Sequence, residues 1–172
     1  MVAALHNLSE TSCQQLGKEA EDRFVRLRGQ HIIRRATARE DTDEHWDVLD
    51  DEFGRIDVKS AKRMHRGGEI DYTVWWELQT VPRVMDGDME KKPRRGWGVG
   101  NGVRRYIAVC LYDGFYLLSP EEIASDLRLK RMKEGARKGR GAFLYHNRRG
   151  DYTTVLPEDY VRNNARHYLP DW

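Results

Sequence analysis

Residues 46–59 read WDVLDDEFGRIDVK, and this stretch decides the fold because it predicts a β-hairpin. Residues 46–49 and 55–59 are two short runs rich in residue types that favour strands. Residues 51–54, DEFG, supply a polar turn between the two runs. The hairpin would therefore bring Asp47 and Asp57 onto neighbouring strands.

The predicted hairpin carries two acids and a lysine in an arrangement that suits phosphodiester hydrolysis. Side chains alternate along a strand, so Asp57 and Lys59 share one face while Val58 points to the other. Asp47 can project from the neighbouring strand toward Asp57. Carboxylate oxygens are the ligands that Mg²⁺ prefers, and the ion can polarise a phosphate and lower the pKa of a bound water. A lysine beside them can orient that water and stabilise charge in the transition state.

Upstream of the hairpin, residues 12–28 have the pattern of an α-helix. Thr11 and Gln14 form a capping-box pair at its start, and Gly29 is a natural stop at its end. The apolar stripe of this helix comprises Leu16, Ala20, Phe24 and Leu27. Glu21 borders the stripe, so it can reach over the edge of the sheet toward the hairpin.

Further elements follow from periodicity and from turn residues. Strands are predicted at 31–34, 72–79, 105–111, 115–118 and 152–156, and helices from Ser119 to about Lys133 and after Pro157. The residues between the first strand and Glu44 are expected to form a polar acidic loop, and residues 86–102 a long loop or flap. This order predicts one α/β domain over residues 1–172, with a central mixed β-sheet flanked by helices.

The composition fits a soluble globular protein with an uneven charge distribution. The chain has 172 residues, 39% of them hydrophobic and 34% charged, and a net charge of +2. Residues 40–57 hold nine acids and one base, whereas residues 128–149 hold nine bases and one acid. An acidic cluster can hold a metal ion, and a basic segment, predicted here to be mobile, can meet phosphate. Taken alone, either run is better explained as a solvated face.

The sequence does not predict export or a membrane. Cys13 and Cys110 lie far apart and form no CxxC pair or zinc pattern. The first residues lack the basic flank and long apolar run of a signal peptide, and no stretch approaches the ~18 apolar residues of a membrane span. We therefore expect a cytoplasmic protein.

Three segments together resemble the PD-(D/E)xK, or restriction-endonuclease-like, nuclease superfamily. They are residues 17–21 (GKEAE), Asp47, and residues 57–59 (DVK), in that order. The resemblance covers roughly residues 12–62 and continues more weakly to Leu118. Trp46 stands where the usual residue is proline, a departure that many members share. Its members include restriction enzymes, junction resolvases, repair nucleases and many phage proteins.

The resemblance implies a restriction-endonuclease-like core and an Mg²⁺- or Mn²⁺-dependent endonuclease that hydrolyses DNA. It implies that Asp47, Asp57 and Glu21 bind the metal and that Lys59 joins them in the catalytic set. Many such nucleases act as dimers, so a homodimer is a further expectation. A phage origin, with action in the host cytoplasm, is another expectation that follows from the resemblance alone.

A DNA nuclease also needs cations for phosphate and side chains that support its site. Candidate phosphate contacts are Arg104, Arg105, Arg128, Lys130, Arg131, Arg137, Lys138 and Arg140. Glu77, Gln79 and His45 are candidates for support, although a solvent-facing position explains Glu77 and Gln79 equally well. Residues 96–100, GWGVG, lack the ending of a Walker loop and predict a bend or flap, with Trp97 packed or stacked on a base.

Two other functions stay open at this point. A non-catalytic nucleic-acid-binding or regulatory protein on the same fold would bind DNA without cutting it, in Mg²⁺ as in EDTA. An RNA endonuclease would use the same acids, and the absence of an RRM or KH signature argues only weakly against it. Within the site, Glu19 is the alternative to Glu21 as the helical acid, although the two point to different sides of the helix.

Overall fold

The structure is a computed structural model that describes residues 10–66, 69–80, 94–99, 102, 106–134, 145–146 and 152–171. Its strands in chain order are β1 (Ile32–Arg35), β2 (Val48–Asp50), β3 (Gly54–Ser60), β4 (Lys62–Arg66), β5 (Glu69–Thr80), β6 (Arg94–Arg95), β7 (Tyr106–Leu111), β8 (Gly114–Leu118), β9 (Tyr145–His146), β10 (Tyr152–Pro157) and β11 (His167–Pro170). Its α-helices are α1 (Glu10–Arg28), α2 (Ala38–Glu44), α3 (Pro120–Glu134) and α4 (Glu158–Asn164). Short 3-10 turns occur at Gly29–His31 and Trp97–Val99.

The predicted hairpin lies inside a six-stranded mixed sheet with the strand order β1-β2-β3-β7-β8-β11. Strand β3 runs antiparallel to β2 and parallel to β7, while the other pairs in this sheet are antiparallel. Val48 pairs with Ile56 across the hairpin, and Asp57 pairs with Ile107 on the other side. The predicted central mixed sheet is therefore confirmed, and β3 is hydrogen-bonded along both of its edges.

A second sheet has the strand order β4-β5-β10-β9, with β6 paired to β5. All of its pairs are antiparallel. We predicted β5 and β10 as strands but not their pairing, because residues so far apart in sequence leave no local pattern that joins them. Strand β5 is also longer than the predicted 72–79, since it begins at Glu69 and ends at Thr80.

Hydrophobic side chains cover both faces of the six-stranded sheet. On one face, Phe24 of α1 is fully buried in a cluster that includes Val58 of β3. On the other face, Trp76 of β5 is fully buried among residues of β7, β8, α3, β10 and α4. Since Val58 faces α1, the alternation of side chains directs Asp57 and Lys59 toward the second sheet. Asp57 and Lys59 therefore lie on the face of the six-stranded sheet that is turned toward the second sheet.

The ends of α1 differ in part from the prediction. The helix includes Glu10, so Thr11 lies within its first turn and is not the capping residue that we expected. Its C-terminal end is as predicted, because Gly29 follows Arg28 with a φ of 47°. This left-handed backbone is one that glycine adopts at little cost.

The predicted acidic loop before the hairpin is wrong, because much of it forms α2. The backbone N–H of Glu40 donates to Thr37 Oγ1 over 3.3 Å, and the backbone N–H of Thr37 donates to Glu40 Oε2 over 2.9 Å. This is a capping box. The helix is short and has no apolar stripe, so periodicity did not reveal it. His45 ends it in the left-handed region, with a φ of 56°.

Most other predicted elements are present. Strands β7 and β8 form a hairpin with Gly114 directly after its turn, α3 begins at Pro120, and α4 follows Pro157. Strands β4, β6, β9 and β11 were not predicted. In the basic run 128–149, which we predicted to be mobile, residues 128–134 belong to α3 and residues 145–146 to β9, and the rest of the run, like most of residues 86–102, lies outside the described residues. Within the ranges that the structure describes, no helix is both long and apolar enough to cross a bilayer.

Candidate active site

Asp47 is held at the start of the hairpin by its backbone and by its neighbour Trp46. The backbone N–H of Asp47 donates to Ile56 O over 2.8 Å. The Trp46 side chain is fully buried, and the guanidinium groups of Arg34 and Arg55 lie 4.8 and 5.2 Å from its ring centroid. Trp46 thus anchors the chain at this point by burial and cation–π contacts.

The carboxylate of Asp47 lies beside Asp57. Its Oδ2 accepts a 2.6 Å hydrogen bond from the backbone N–H of Val58, the residue that follows Asp57. Burial and the neighbouring negative charge of Asp57 raise the pKa of Asp47 to about 8, against the opposing effects of Lys59 and of the Val58 N–H. The structure therefore brings the two predicted acids together on one side of the sheet.

Lys59 lies next to the buried carboxylate of Asp57. The Lys59 Nζ is 2.5 Å from Asp57 Oδ1, and Asp57 is only 1% exposed. The Lys59 side chain is 32% exposed, so a buried acid is paired with a lysine that solvent can reach. As predicted, Asp57 and Lys59 share a face of β3, and their ion pair places the ammonium where it can compensate one of the two acids.

Glu21 approaches the same cluster from α1 and is half-buried. Burial raises the pKa of Glu21, and Asp41 raises it further, while Lys59 and Arg35 oppose the shift. The Arg35 Nη1 lies 3.8 Å from Glu21 Oε2. Glu21 also contributes to the raised pKa of Asp47. Glu21 is therefore within electrostatic reach of the hairpin residues, but its carboxylate is turned toward Arg35.

The donor set fits a hard divalent cation bound mainly by two carboxylates. Among the described residues, no group of three or more Asp, Glu, His or Cys side chains is close enough to enclose an ion. Mg²⁺ is often held by only one or two protein carboxylates and keeps several waters. Asp47 and Asp57 match that requirement, and Glu21 could join them directly or through water if its side chain turned away from Arg35.

The supporting residues take varied positions. Glu77 Oε1 accepts a 3.4 Å hydrogen bond from the backbone N–H of Trp97, so Glu77 supports the segment that contains Trp97. His45 ends α2, and its backbone N–H donates to Asp41 O over 3.1 Å. The alternative acid Glu19 is exposed and accepts a hydrogen bond from Gln15, so Glu21 is the helical acid that faces the site.

The predicted phosphate contacts have side chains that lie outside the described part of the chain. Arg128, Lys130 and Arg131 belong to α3, but only their backbone is described. The other candidates lie outside the described residues and are Arg104, Arg105, Arg137, Lys138 and Arg140. The side chain of Gln79 likewise lies outside the described part of the chain.

Sequence reasoning missed two contacts of the candidate residues, that of Arg35 with Glu21 and that of Trp97 with Lys59. Arg35 lies between Glu21 and Asp22, with its Nη2 2.6 Å from Asp22 Oδ1. The Trp97 ring centroid lies 5.1 Å from Lys59 Nζ. The Gly-Trp-Gly motif drew attention to Trp97, but no sequence signal paired it with Lys59, because a turn and a strand so far apart in the chain share no local pattern.

The chain was also compared with known proteins. Neither the protein-family models, nor the curated proteins, nor the solved structures give a match. The functional argument therefore depends on the geometry and chemistry of Asp47, Asp57, Lys59 and Glu21.

Proposed function

We propose that this protein is a metal-dependent endonuclease that hydrolyses DNA phosphodiester bonds on a restriction-endonuclease-like core. One observation carries the proposal. The Asp47 carboxylate accepts a hydrogen bond from the backbone N–H of Val58 and is near enough to Asp57 for that negative charge to raise its pKa, and the Lys59 ammonium is 2.5 Å from Asp57. The position of β3 within a mixed sheet, with α1 packed beside it, supports the same core.

The charge balance of the cluster favours a functional site over a structural ion pair. Asp57 and Lys59 alone would form a neutral pair, which needs no further acid. Asp47 adds a second, partly buried carboxylate, and its pKa of about 8 expresses the cost of placing that charge there. A proton or a cation must balance it near neutral pH. Strongly perturbed acids of this kind concentrate at functional sites.

Each residue would have a distinct part in hydrolysis. Asp47 and Asp57 would hold Mg²⁺ or Mn²⁺, which when bound would polarise the phosphate and make hydroxide available near neutral pH. Lys59 would orient the attacking water and stabilise negative charge in the transition state. Glu21 would accept a hydrogen bond from water at the helix side of the site. Asp47 would release its proton when the cation binds.

The choice of DNA as substrate comes from the resemblance and from the basic run at residues 128–149. The candidate phosphate contacts in that run would bind DNA without regard to sequence, and they are Arg128, Lys130, Arg131, Arg137, Lys138 and Arg140. Cutting both strands of a duplex would need two sites, so a homodimer belongs to the same proposal. Sedimentation of the protein with and without a short duplex would measure that stoichiometry.

The test is incubation with supercoiled plasmid, single-stranded DNA, branched DNA and RNA, each with Mg²⁺, Mn²⁺ or EDTA. We expect nicking of DNA in either metal and none in EDTA. Asp57→Asn should abolish it, whereas Asp43→Asn, which changes an exposed acid of α2, should not. Binding without cutting under every condition would favour the non-catalytic alternative, and cutting of RNA alone would favour an RNA endonuclease.

A further inference from the structure

The ammonium group of Lys59 lies between a carboxylate and an aromatic ring. Its Nζ is 2.5 Å from Asp57 Oδ1 and 5.1 Å from the centroid of the Trp97 ring. A cation within ~6 Å of an indole face is attracted by the negative face of the ring. Trp97 thus contacts the residue to which we assign stabilisation of the transition state.

Trp97 is itself held in place by strand β5. Its half-buried ring packs against the buried Trp76, with centroids 5.2 Å apart and an interplanar angle of 58°. Its backbone N–H donates to Glu77 Oε1 over 3.4 Å. The ring therefore has a fixed position relative to the second sheet, on the side toward which Lys59 points.

The two glycines that flank Trp97 allow this close approach. A Cβ on Gly96 would lie 2.6 Å from the carbonyl carbon and oxygen of Glu77. A Cβ on Gly98 would lie 2.3 Å from Nε1 of Trp76, whose N–H donates to Gly98 O over 2.7 Å. Both positions are closer than real Cβ contacts allow. The Gly-Trp-Gly motif thus forms a bend packed directly on β5.

We infer that Trp97 is a positioning residue for Lys59, an inference that rests on the proposed function. Lysine has a long, flexible side chain whose ammonium has three donors and no preferred plane. The indole face attracts that ammonium without adding a formal charge. Another carboxylate in its place would increase the negative charge where an anionic phosphate must approach. Trp97 thereby limits the positions of Lys59 while leaving its donors available to Asp57 and to water.

The contact can be tested without any substrate. In protein labelled with [¹³C]lysine, the ε-methylene signal of Lys59, assigned by its loss in Lys59→Arg, should be shifted upfield by the indole ring current. Trp97→Leu should remove that shift, whereas Trp97→Phe should retain part of it. A Lys59 signal that lies at the ordinary position, or that does not move in Trp97→Leu, would overturn the inference whether or not the protein cleaves DNA.

The role in the reaction needs a variant that leaves the shape of the ring almost unchanged. Fluorinated tryptophans placed at position 97 weaken the negative face stepwise, so kcat should fall with each fluorine while KM stays constant. The total loss should be roughly three- to thirtyfold, the rate equivalent of one cation–π contact. The same substitutions at the exposed Trp75 of β5 are the control and should leave kcat unchanged.

The outcomes separate the two hypotheses. A constant kcat across the fluorinated series would show that the ring does not position Lys59 for the reaction, and would overturn the inference. A folded wild-type protein that cleaves none of the substrates would overturn the proposed function instead. In that case the lysine signal would still decide whether Trp97 fixes the position of Lys59.

Discussion

The carboxylate of Asp47 accepts a hydrogen bond from the backbone N–H of Val58, at a distance of 2.6 Å. Val58 lies between Asp57 and Lys59, so this one bond places the first acid against the backbone that carries the other two groups. This hydrogen bond links the two arms of the hairpin through a side chain, in addition to the backbone hydrogen bonds between β2 and β3. The position of Asp47 therefore depends on the register between β2 and β3.

Metal affinity should rise with pH up to about 8. The pKa of Asp47 is raised to about 8 by burial and by Asp57, so a proton competes with the cation below that pH. The gain should approach ~tenfold per pH unit for one displaced proton. Titration calorimetry with Mn²⁺ in buffers of different ionisation enthalpy would measure both affinity and proton release. An affinity that is constant from pH 6 to 8 would contradict the prediction.

The metal-free protein should lose stability as pH rises toward 8. A carboxyl whose pKa is raised on folding binds its proton more tightly in the folded state, so its contribution declines from the unfolded pKa of 3.8 upward. Thermal unfolding in EDTA should show this decline in the wild type. Asp47→Asn should flatten the profile between pH 5 and 8. If the stability of both proteins declined equally with pH, Asp47 would not be the source of the decline.

Lys59→Ala should keep DNA affinity but lose cleavage. A group that acts in the transition state contributes little to binding of the ground state, and its loss commonly lowers the rate by ~10²–10³. The control is Lys62→Ala, a half-buried lysine at the start of β4. Paired gel-shift and nicking assays would measure both quantities. Cleavage at the wild-type rate by Lys59→Ala would show that the catalytic assignment is wrong.

Changing Arg131 and Arg137 to Ala should weaken DNA binding but preserve cleavage, which is the opposite of the result expected for Lys59→Ala. Lost phosphate contacts weaken binding to all sequences and reduce the dependence of affinity on salt. The cleavage rate at saturating protein should remain close to that of the wild type. Gel shifts over a range of salt concentrations would measure the slope. An unchanged slope would place the phosphate-binding surface elsewhere.

Asp50→Ala should destabilise the hairpin that carries the site. Arg28 donates to both carboxylate oxygens of the buried Asp50, over 2.7 and 3.1 Å, and the backbone N–H groups of Glu52 and Phe53 donate to Oδ1. Breaking a buried ion pair from one side costs ~3–5 kcal/mol. Denaturant unfolding would measure the loss, with Asp51→Ala in the exposed turn as the control. A loss below ~1 kcal/mol would contradict this role for the pair.

The same pair should make the protein sensitive to acid. Burial alone would raise the pKa of Asp50, but the hydrogen bonds from Arg28, Phe53 and Glu52 outweigh it, so the pKa is lowered. A carboxyl with a lowered pKa stabilises the fold above its unfolded pKa of 3.8, and that contribution is lost as pH falls through the folded value. The free energies of unfolding of the wild type and of Asp50→Asn should approach each other as the pH falls below 5. A difference between the two free energies that stays constant with pH would exclude Asp50 as the source of the acid sensitivity.

The sequence predicted those parts of the fold that local patterns specify. The hairpin of β2 and β3 follows from alternation and from a polar turn, so the pairing of Asp47 with the Asp57 strand was predictable. Helix α2 has a capping box at Thr37 but no apolar stripe, and periodicity therefore missed it. The second sheet and the contact between Lys59 and Trp97 join residues far apart in the chain, and such pairings have no local signature.

The two candidate acids belong to the same short hairpin, and this closeness in sequence affects the order of folding. Asp47 and Asp57 belong to one hairpin, whose short loop closes with little loss of chain entropy. Hairpins of this kind form in ~1–10 μs. By contrast, β3 meets β7 through contacts such as Val58 with Ala108, which must close a much longer loop. We therefore expect the carboxylate pair to assemble before the parallel strand docks, so that a divalent cation present during refolding would accelerate nucleation of the sheet.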